Sequence, residues 1–138
     1  MSNRYFFSGG TCKSKKRLDG KVTIITGGNT GIGYETGLDF AKRGARVILA
    51  CRDMNKANKA ASEIIRLSNN NKIECEKLDL ADLESVRAFA EVMKSKLTRL
   101  DILVNNAGIM MCPDWKTKDG FEMQFGTNHL GYFLNLYK

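Results

Sequence analysis

The chain has 138 residues, 43% of them hydrophobic and 27% charged, with a net charge of +7. That is enough to bury the core of one domain, and no linker or shift of composition divides it in two. The four cysteines at 12, 51, 75 and 112 form no CxxC pair, His129 is the single histidine, and no run approaches the roughly 20 apolar residues of a membrane span. A metal site, a disulfide framework and a transmembrane segment are thereby excluded as readings, and with no secretory signal the thiols read as free, in a reducing compartment.

In chain order, residues 1–19 read as a basic, flexible arm and 20–138 as one domain. Residues 1–21 hold Arg4, Lys13, Lys15, Lys16, Arg17 and Lys21 against Asp19 alone, a net of +5 that leaves +2 for the rest. Such an arm either meets anionic lipid or nucleic acid or is a solvated lead-in to the first strand; the lead-in is the reading taken, with no nucleic-acid partner. The cluster Tyr5-Phe6-Phe7 is far too short to span a bilayer.

Val22-Thr23-Ile24-Ile25 then predicts a β-branched strand that runs into Thr26-Gly27-Gly28-Asn29-Thr30-Gly31-Ile32-Gly33 and on into a helix ending at Lys42-Arg43-Gly44. A strand entering a glycine-rich turn that opens a helix is the arrangement that binds a nucleotide pyrophosphate. Gly27 permits the tight turn, Gly31 lets backbone approach the phosphates, and Gly33 lets the helix pack close to the strand. Ala45 to Ala50 reads as a second buried strand ending in Cys51-Arg52. Position 51 stands 20 residues beyond Gly31, where an NAD-binding chain usually carries an acid for the ribose 2′-hydroxyl. Here a thiol is followed by a cation able to hold a 2′-phosphate, which favours NADP (NADPH) over NAD. The alternative is that Arg52 is a solvated residue at the start of the next helix.

Further on, Ala57, Ala60, Ala61, Ile64 and Ile65 predict an amphipathic helix over 53–67, ended by Ser68-Asn69-Asn70-Asn71. Ile73 to Leu78 is a third, alternating strand toward an edge, closed by Asp79-Leu80. Asp82 is the expected N-cap of a helix with an apolar stripe of Leu83, Val86, Ala90, Met93 and Leu97. Ile102-Leu103-Val104 makes a fourth strand, running into Asn105-Asn106-Ala107-Gly108. Alternating strands and helices imply an α/β doubly wound parallel sheet, Rossmann-like, with strand order 3-2-1-4 and a ligand site beyond the carboxyl ends of the strands. A last helix around Phe125 to Gly131 is expected to place Phe121, Phe125, Asn128 and Tyr132 on one face.

Together, TGGNTGIG at 26–33, Asp79-Leu80, NNAG at 105–108 and Phe125-Gly126-Thr127-Asn128-His129-Leu130-Gly131 resemble the short-chain dehydrogenase/reductase family. Leu49-Ala50-Cys51-Arg52-Asp53, Lys77 to Leu80 and Gly108-Ile109-Met110-Met111-Cys112-Pro113 are similar to its NADP-dependent retinol dehydrogenase branch. The resemblance spans about Leu18 to Lys138. It implies that Thr26 to Gly33 serve the pyrophosphate and nicotinamide ribose, Arg52 the 2′-phosphate, and Asp79 with Leu80 the adenine. Asn106, Ala107 and Gly108 would line the cofactor, and Asn128 falls on the catalytic Asn whose backbone carbonyl holds a water in the proton relay. Read from the residues alone, Asn128 is instead a buried polar helix residue, and His129 a packing or interface histidine.

One departure weighs against turnover. The family's chemistry needs a Ser and a Tyr-x-x-x-Lys pair, yet the tyrosines here stand at 5, 34, 132 and 137, and Gly9, Leu38 and Leu136 follow the first three at the fourth place. The resemblance therefore implies the cofactor-binding half of an NADP-dependent oxidoreductase acting on an apolar aldehyde or alcohol such as a retinoid, inactive by itself. A non-catalytic nucleotide-binding or interaction module and a truncated product are the alternatives. Truncation would leave the fourth strand as a bare edge, with association or homo-oligomers as the result. Membrane association, including with the endoplasmic reticulum, is implied only by resemblance, and the sequence itself reads as soluble and intracellular.

Overall fold

The structure, a computed structural model, describes residues 13–136. Arg4, the Tyr5–Phe7 cluster and Cys12 of the expected arm, and Tyr137 and Lys138, lie outside the described residues. The elements are β1 (Val22–Thr26), α1 (Gly31–Lys42), β2 (Arg46–Cys51), α2 (Met54–Ser68), β3 (Ile73–Lys77), α3 (Leu83–Lys96), β4 (Ile102–Val104), a short α4 (Met123–Phe125), a π-helical turn (Gly126–Leu130) and α5 (Gly131–Leu136).

All four strands are parallel and lie in the order β3-β2-β1-β4, the doubly wound arrangement expected. Successive strand residues point to opposite faces, so each strand feeds two cores. Ile25, Val47 and Leu49 pack with Leu38 and Ala41 of α1 and Ala57, Ala61 and Ile64 of α2. On the other face Ile24, Ile48 and Ala50 pack with Val86, Phe89 and Met93 of α3, and Tyr132 and Leu134 of α5 join them. The side chains of Ile25, Val47, Leu49 and Ile64 are fully buried, each worth about 1.5–3 kcal/mol relative to exposure.

Helix ends follow local chemistry. Asp53 caps α2 by accepting from Lys56 N, and Asp82 caps α3 by accepting from Glu84 N and Ser85 N. In the polar run after α2, Asn69 takes the left-handed conformation (φ 55°), and Asn70 donates to the carbonyls of Ala41 and Ala45, tying this turn to the end of α1. The arm residues that are described lie against the same end of α1: Arg43 Nη1 donates to the carbonyls of Ser14 and Lys16.

The last helix departs from expectation. Phe121 precedes it, in a segment bridged antiparallel through Lys116 and Glu122, so it shares no helical face with Phe125, Asn128 and Tyr132. The π-helical turn then inserts about one extra residue and rotates the remainder of the helix. Phe125 and Phe133 are each about half exposed, whereas Tyr132 turns into the core. No helix among the described residues is long and apolar enough to cross a membrane.

Candidate cofactor site

The carboxyl ends of the strands open onto a cleft of about 470 Å³, within the size range of small-molecule sites. Its walls bring together Thr26 at the end of β1 and Gly27, Asn29 and Thr30 after it, Arg52 after β2, Asp79 and Leu80 after β3, and Asn106, Ala107 and Gly108 after β4. Of the other expected residues, Gly28, Gly31, Ile32 and Gly33 form the turn and helix start without walling the cleft, and Asn128 follows Thr127, which does line it.

The turn is shaped by backbone demands. Gly27 (φ 66°) lies so close to Ala107 that a Cβ on it would stand 3.0 Å from the Ala107 Cβ. Gly31 (φ 57°) faces open space, with nothing within 4 Å of where its Cβ would be. A Cβ on Gly33 would sit 2.5 Å from Asn106 Nδ2 and 2.7 Å from the Gly27 carbonyl, so this position is sealed against the turn.

Capping separates α1 from its neighbours. Side-chain carboxylates cap α2, α3 and α4, the last through Glu122, but Thr30 makes no side-chain cap and the first turn of α1 carries no acid. A helix start leaves its first N–H groups without intrahelical partners, and their partial positive charge suits an anion. Donor N–H groups, a left-handed glycine and open space thus coincide directly after Thr30, which lines the cleft, and a pyrophosphate fits that chemistry.

Beneath the turn, Thr26 ties the walls together. Its Oγ1 accepts from Asn106 N and Ala107 N, both at 3.0 Å, and lies 3.0 Å from the Tyr132 hydroxyl, which also donates to the Ala107 carbonyl. Asn106 Nδ2 donates back to the Thr26 carbonyl at 2.9 Å. The Cys51 thiol lies under the same turn: burial pushes it up, and the backbone N–H groups of Gly28, Asn29 and Gly27 act the other way.

At the far end, Arg52 is exposed and has no carboxylate in ion-pair range among the described residues, while the neighbouring Asp53 is occupied by its cap; the Lys56 N–H holds its carboxyl below the usual range. Lys56 lines the cleft as well. Sequence reasoning passed over it, although it stands four residues beyond Arg52, in the first turn of α2. Asp79 Oδ1 accepts from Ala81 N, and Leu80 buries its side chain in the core, so its main chain is what faces the cleft.

Asn128 sits in the π-helical turn, exposed rather than buried. Its side-chain amide pairs in both directions with Ile109, accepting from the Ile109 N–H at 2.9 Å and donating to the Ile109 carbonyl at 2.7 Å. That reciprocal pair fixes the loop after β4 to the last helix. His129 stacks on Phe125 with ring centroids 5.3 Å apart. Met110 and Met111 follow Ile109, which lines the cleft, and are 79% and 86% exposed.

A family model described as short chain dehydrogenase matches residues 21–137. The chain belongs to that family. Members of that family are oxidoreductases that bind a nicotinamide cofactor, and the chain is similar to the retinol dehydrogenases. It is 54% identical over 136 residues to retinol dehydrogenase 12 of Mus musculus, covering 99% of this chain and 43% of that protein. With retinol dehydrogenase 13 of Homo sapiens it shares 53% over 129 residues, 94% of this chain and 39% of the other. The chain thus spans about two fifths of the length of the curated relatives it matches. Among solved structures, a protein from Mycobacterium paratuberculosis superimposes with a TM-score of 0.76 at 43% identity, over 87% of this chain and 41% of that one. The Pseudomonas aeruginosa RhlG/NADP active-site complex does so with a TM-score of 0.72 at 30% identity, over 88% and 45%.

Proposed function

We propose that residues 20–138 form the cofactor-binding half of an NADP(H)-dependent short-chain dehydrogenase that interconverts an apolar aldehyde and alcohol, with a retinoid as the reference substrate. The observation that carries this reading is the pairing of an uncapped α1 start at one end of the cleft with Arg52 at the other. The first N–H groups of α1 and the turn from Thr26 to Gly33 take the pyrophosphate. The Arg52 guanidinium, with Lys56 beside it, takes the 2′-phosphate, and Asp79 with the Leu80 main chain borders the adenine.

Once bound, NADPH supplies a hydride to the substrate carbonyl. Asn106, Ala107 and Gly108 position the nicotinamide end through the Thr26 hub. Asn128 commits its side chain to Ile109, so its part in a proton relay falls to the main-chain carbonyl, which accepts from a water. Exposed Met110 and Met111 give the mouth an apolar rim suited to a hydrocarbon substrate. The chain holds no Tyr-x-x-x-Lys, so residues 1–138 bind the cofactor without turning it over.

Titration of the 138-residue chain with NADPH and NADH tests the reading. Hydrogen bonds to a charged group are worth about 1.5–3 kcal/mol, so NADPH should bind roughly 10- to 150-fold more tightly than NADH. Arg52→Ala should close that gap, and no retinal reduction should accompany binding. Equal affinity for the two cofactors refutes the 2′-phosphate assignment, and turnover by this chain refutes its division into halves.

A further inference from the structure

Arg52 and Asp53 join β2 to α2, a link too short to have a ladder or a helix of its own. Both neighbours of Arg52 are fixed from outside the link. The Cys51 carbonyl accepts from Leu78 N at 3.1 Å, and the Asp53 side chain accepts from Lys56 N at 3.1 Å. Between them, the Arg52 carbonyl accepts from Lys77 Nζ at 2.5 Å, a contact that spans 25 residues of chain. Lys77 is the last residue of β3 and pairs in register with Cys51, so its side chain extends the tie between β2 and β3 one step beyond the backbone rungs.

Charges at this corner leave Lys77 to that carbonyl. Among the described residues no carboxylate lies in ion-pair range of Lys77. Glu76 is on the opposite face of β3 and is held by Lys96 of α3. Asp53 is engaged by the start of α2 and, at 3.6 Å, by Lys56 Nζ. A lysine bound to a neutral main-chain oxygen fixes backbone without neutralising any charge, so the corner keeps its cations for an anion.

We propose that Lys77 is a positioning residue for cofactor choice: by holding the Arg52 carbonyl it sets the peptide between Arg52 and Asp53, and with it the direction in which the guanidinium leaves the main chain. The proposal rests on the assignment of Arg52 to the 2′-phosphate made above. A guanidinium meets a phosphate through a planar fork, and both bonds form only over a narrow range of orientations. A side chain ordered before binding also loses less freedom when the phosphate arrives. The link from β2 to α2 cannot supply that order by itself. Lys77 supplies it from the neighbouring strand.

Fluorescence titration of the 138-residue chain with NADPH and with NADH provides the test. Lys77→Met keeps the length of the side chain and removes its donors. It should lower NADPH affinity about 3- to 10-fold, the worth of one hydrogen bond, and leave NADH affinity unchanged. Because the side chain is exposed, thermal unfolding of the variant should match the parent. Acting through Arg52, Lys77 should matter only while Arg52 is present, so Lys77→Met should cost nothing further in an Arg52→Ala background. Lys94→Met, which removes a lysine of α3 outside the cleft, controls for overall charge and should leave both affinities as they are. A parent chain that does not prefer NADPH refutes the assignment of Arg52 and the proposal with it. A preference that survives Lys77→Met, an equal loss of NADH affinity, the same loss in Lys94→Met, or a further loss in the Arg52→Ala background overturns the proposal alone and leaves the cofactor reading standing; the last result would mean that Lys77 meets the phosphate by itself.

Discussion

Thr26→Val removes one oxygen from the fully buried hub beneath the turn and leaves the shape of the side chain almost unchanged. In the native chain that oxygen accepts from the N–H groups of Asn106 and Ala107 and meets the Tyr132 hydroxyl. With valine, both N–H groups lose their acceptor, while Tyr132 keeps the Ala107 carbonyl. A buried donor left unsatisfied costs about 1–3 kcal/mol, and Asn106 and Ala107 are half-buried, which puts each near the lower end. The expected loss is about 2–3 kcal/mol, a large share of the 5–15 kcal/mol typical of a domain. In urea denaturation this should lower the midpoint by about 1–2 M. Thr26→Ser, which keeps the oxygen and loses a methyl group, should cost about 1 kcal/mol. If valine unfolds within about 0.5 kcal/mol of the parent, or serine is as damaging as valine, the hub does not hold the cleft walls together.

Gly33→Ala should destabilise the chain by about 1–3 kcal/mol, since its Cβ meets Asn106 Nδ2 and the Gly27 carbonyl, and unchanged thermal unfolding would show that the turn yields freely. Acid should act through Asp101, whose carboxylate Arg99, then Lys21 and the Val22 N–H hold well below the usual carboxylate range. A folded value below the unfolded one gives stability that is present above about pH 4 and lost as the pH falls further, so urea midpoints should drop from about pH 5 to about pH 2, and drop less in Asp101→Asn; parallel curves count against the assignment. Sedimentation should show association at micromolar concentration, because β4 pairs on one side only and Met110, Met111, Phe125 and Phe133 are exposed, and a monodisperse monomer would contradict this.

Elements set by their own neighbours were the ones legible in sequence. The β-branched run before a glycine-rich turn, the cap at Asp82 and the polar stop at Ser68–Asn71 are local constraints, and right-handed crossovers then restrict them to a doubly wound sheet, whose expected order is the one observed. Bringing Arg52, Asp79 and Asn106 to one cleft follows from that order alone. Features that depend on contacts distant in sequence stayed hidden. The π-helical turn rests on Asn128 reaching back to Ile109, and Phe121 leaves the helix because Lys116 and Glu122 pair across a tight segment. Lys56 was hidden for another reason: on the helix it reads as one exposed lysine among several, and only the fold turns it toward the cleft.

Between the Asn128 clamp on Ile109 and the Tyr132 contact with Thr26 lie only three residues, and both ties must close at once. Removing the extra residue of the π-helical turn would swing everything after it by about 100°, the rotation of one α-helical step. Tyr132 would then leave Thr26 even with every side chain intact. The count of residues in this stretch is thus itself a specification: substitutions can be absorbed one contact at a time, but an insertion or deletion between 128 and 132 would uncouple the loop from the sheet in a single step.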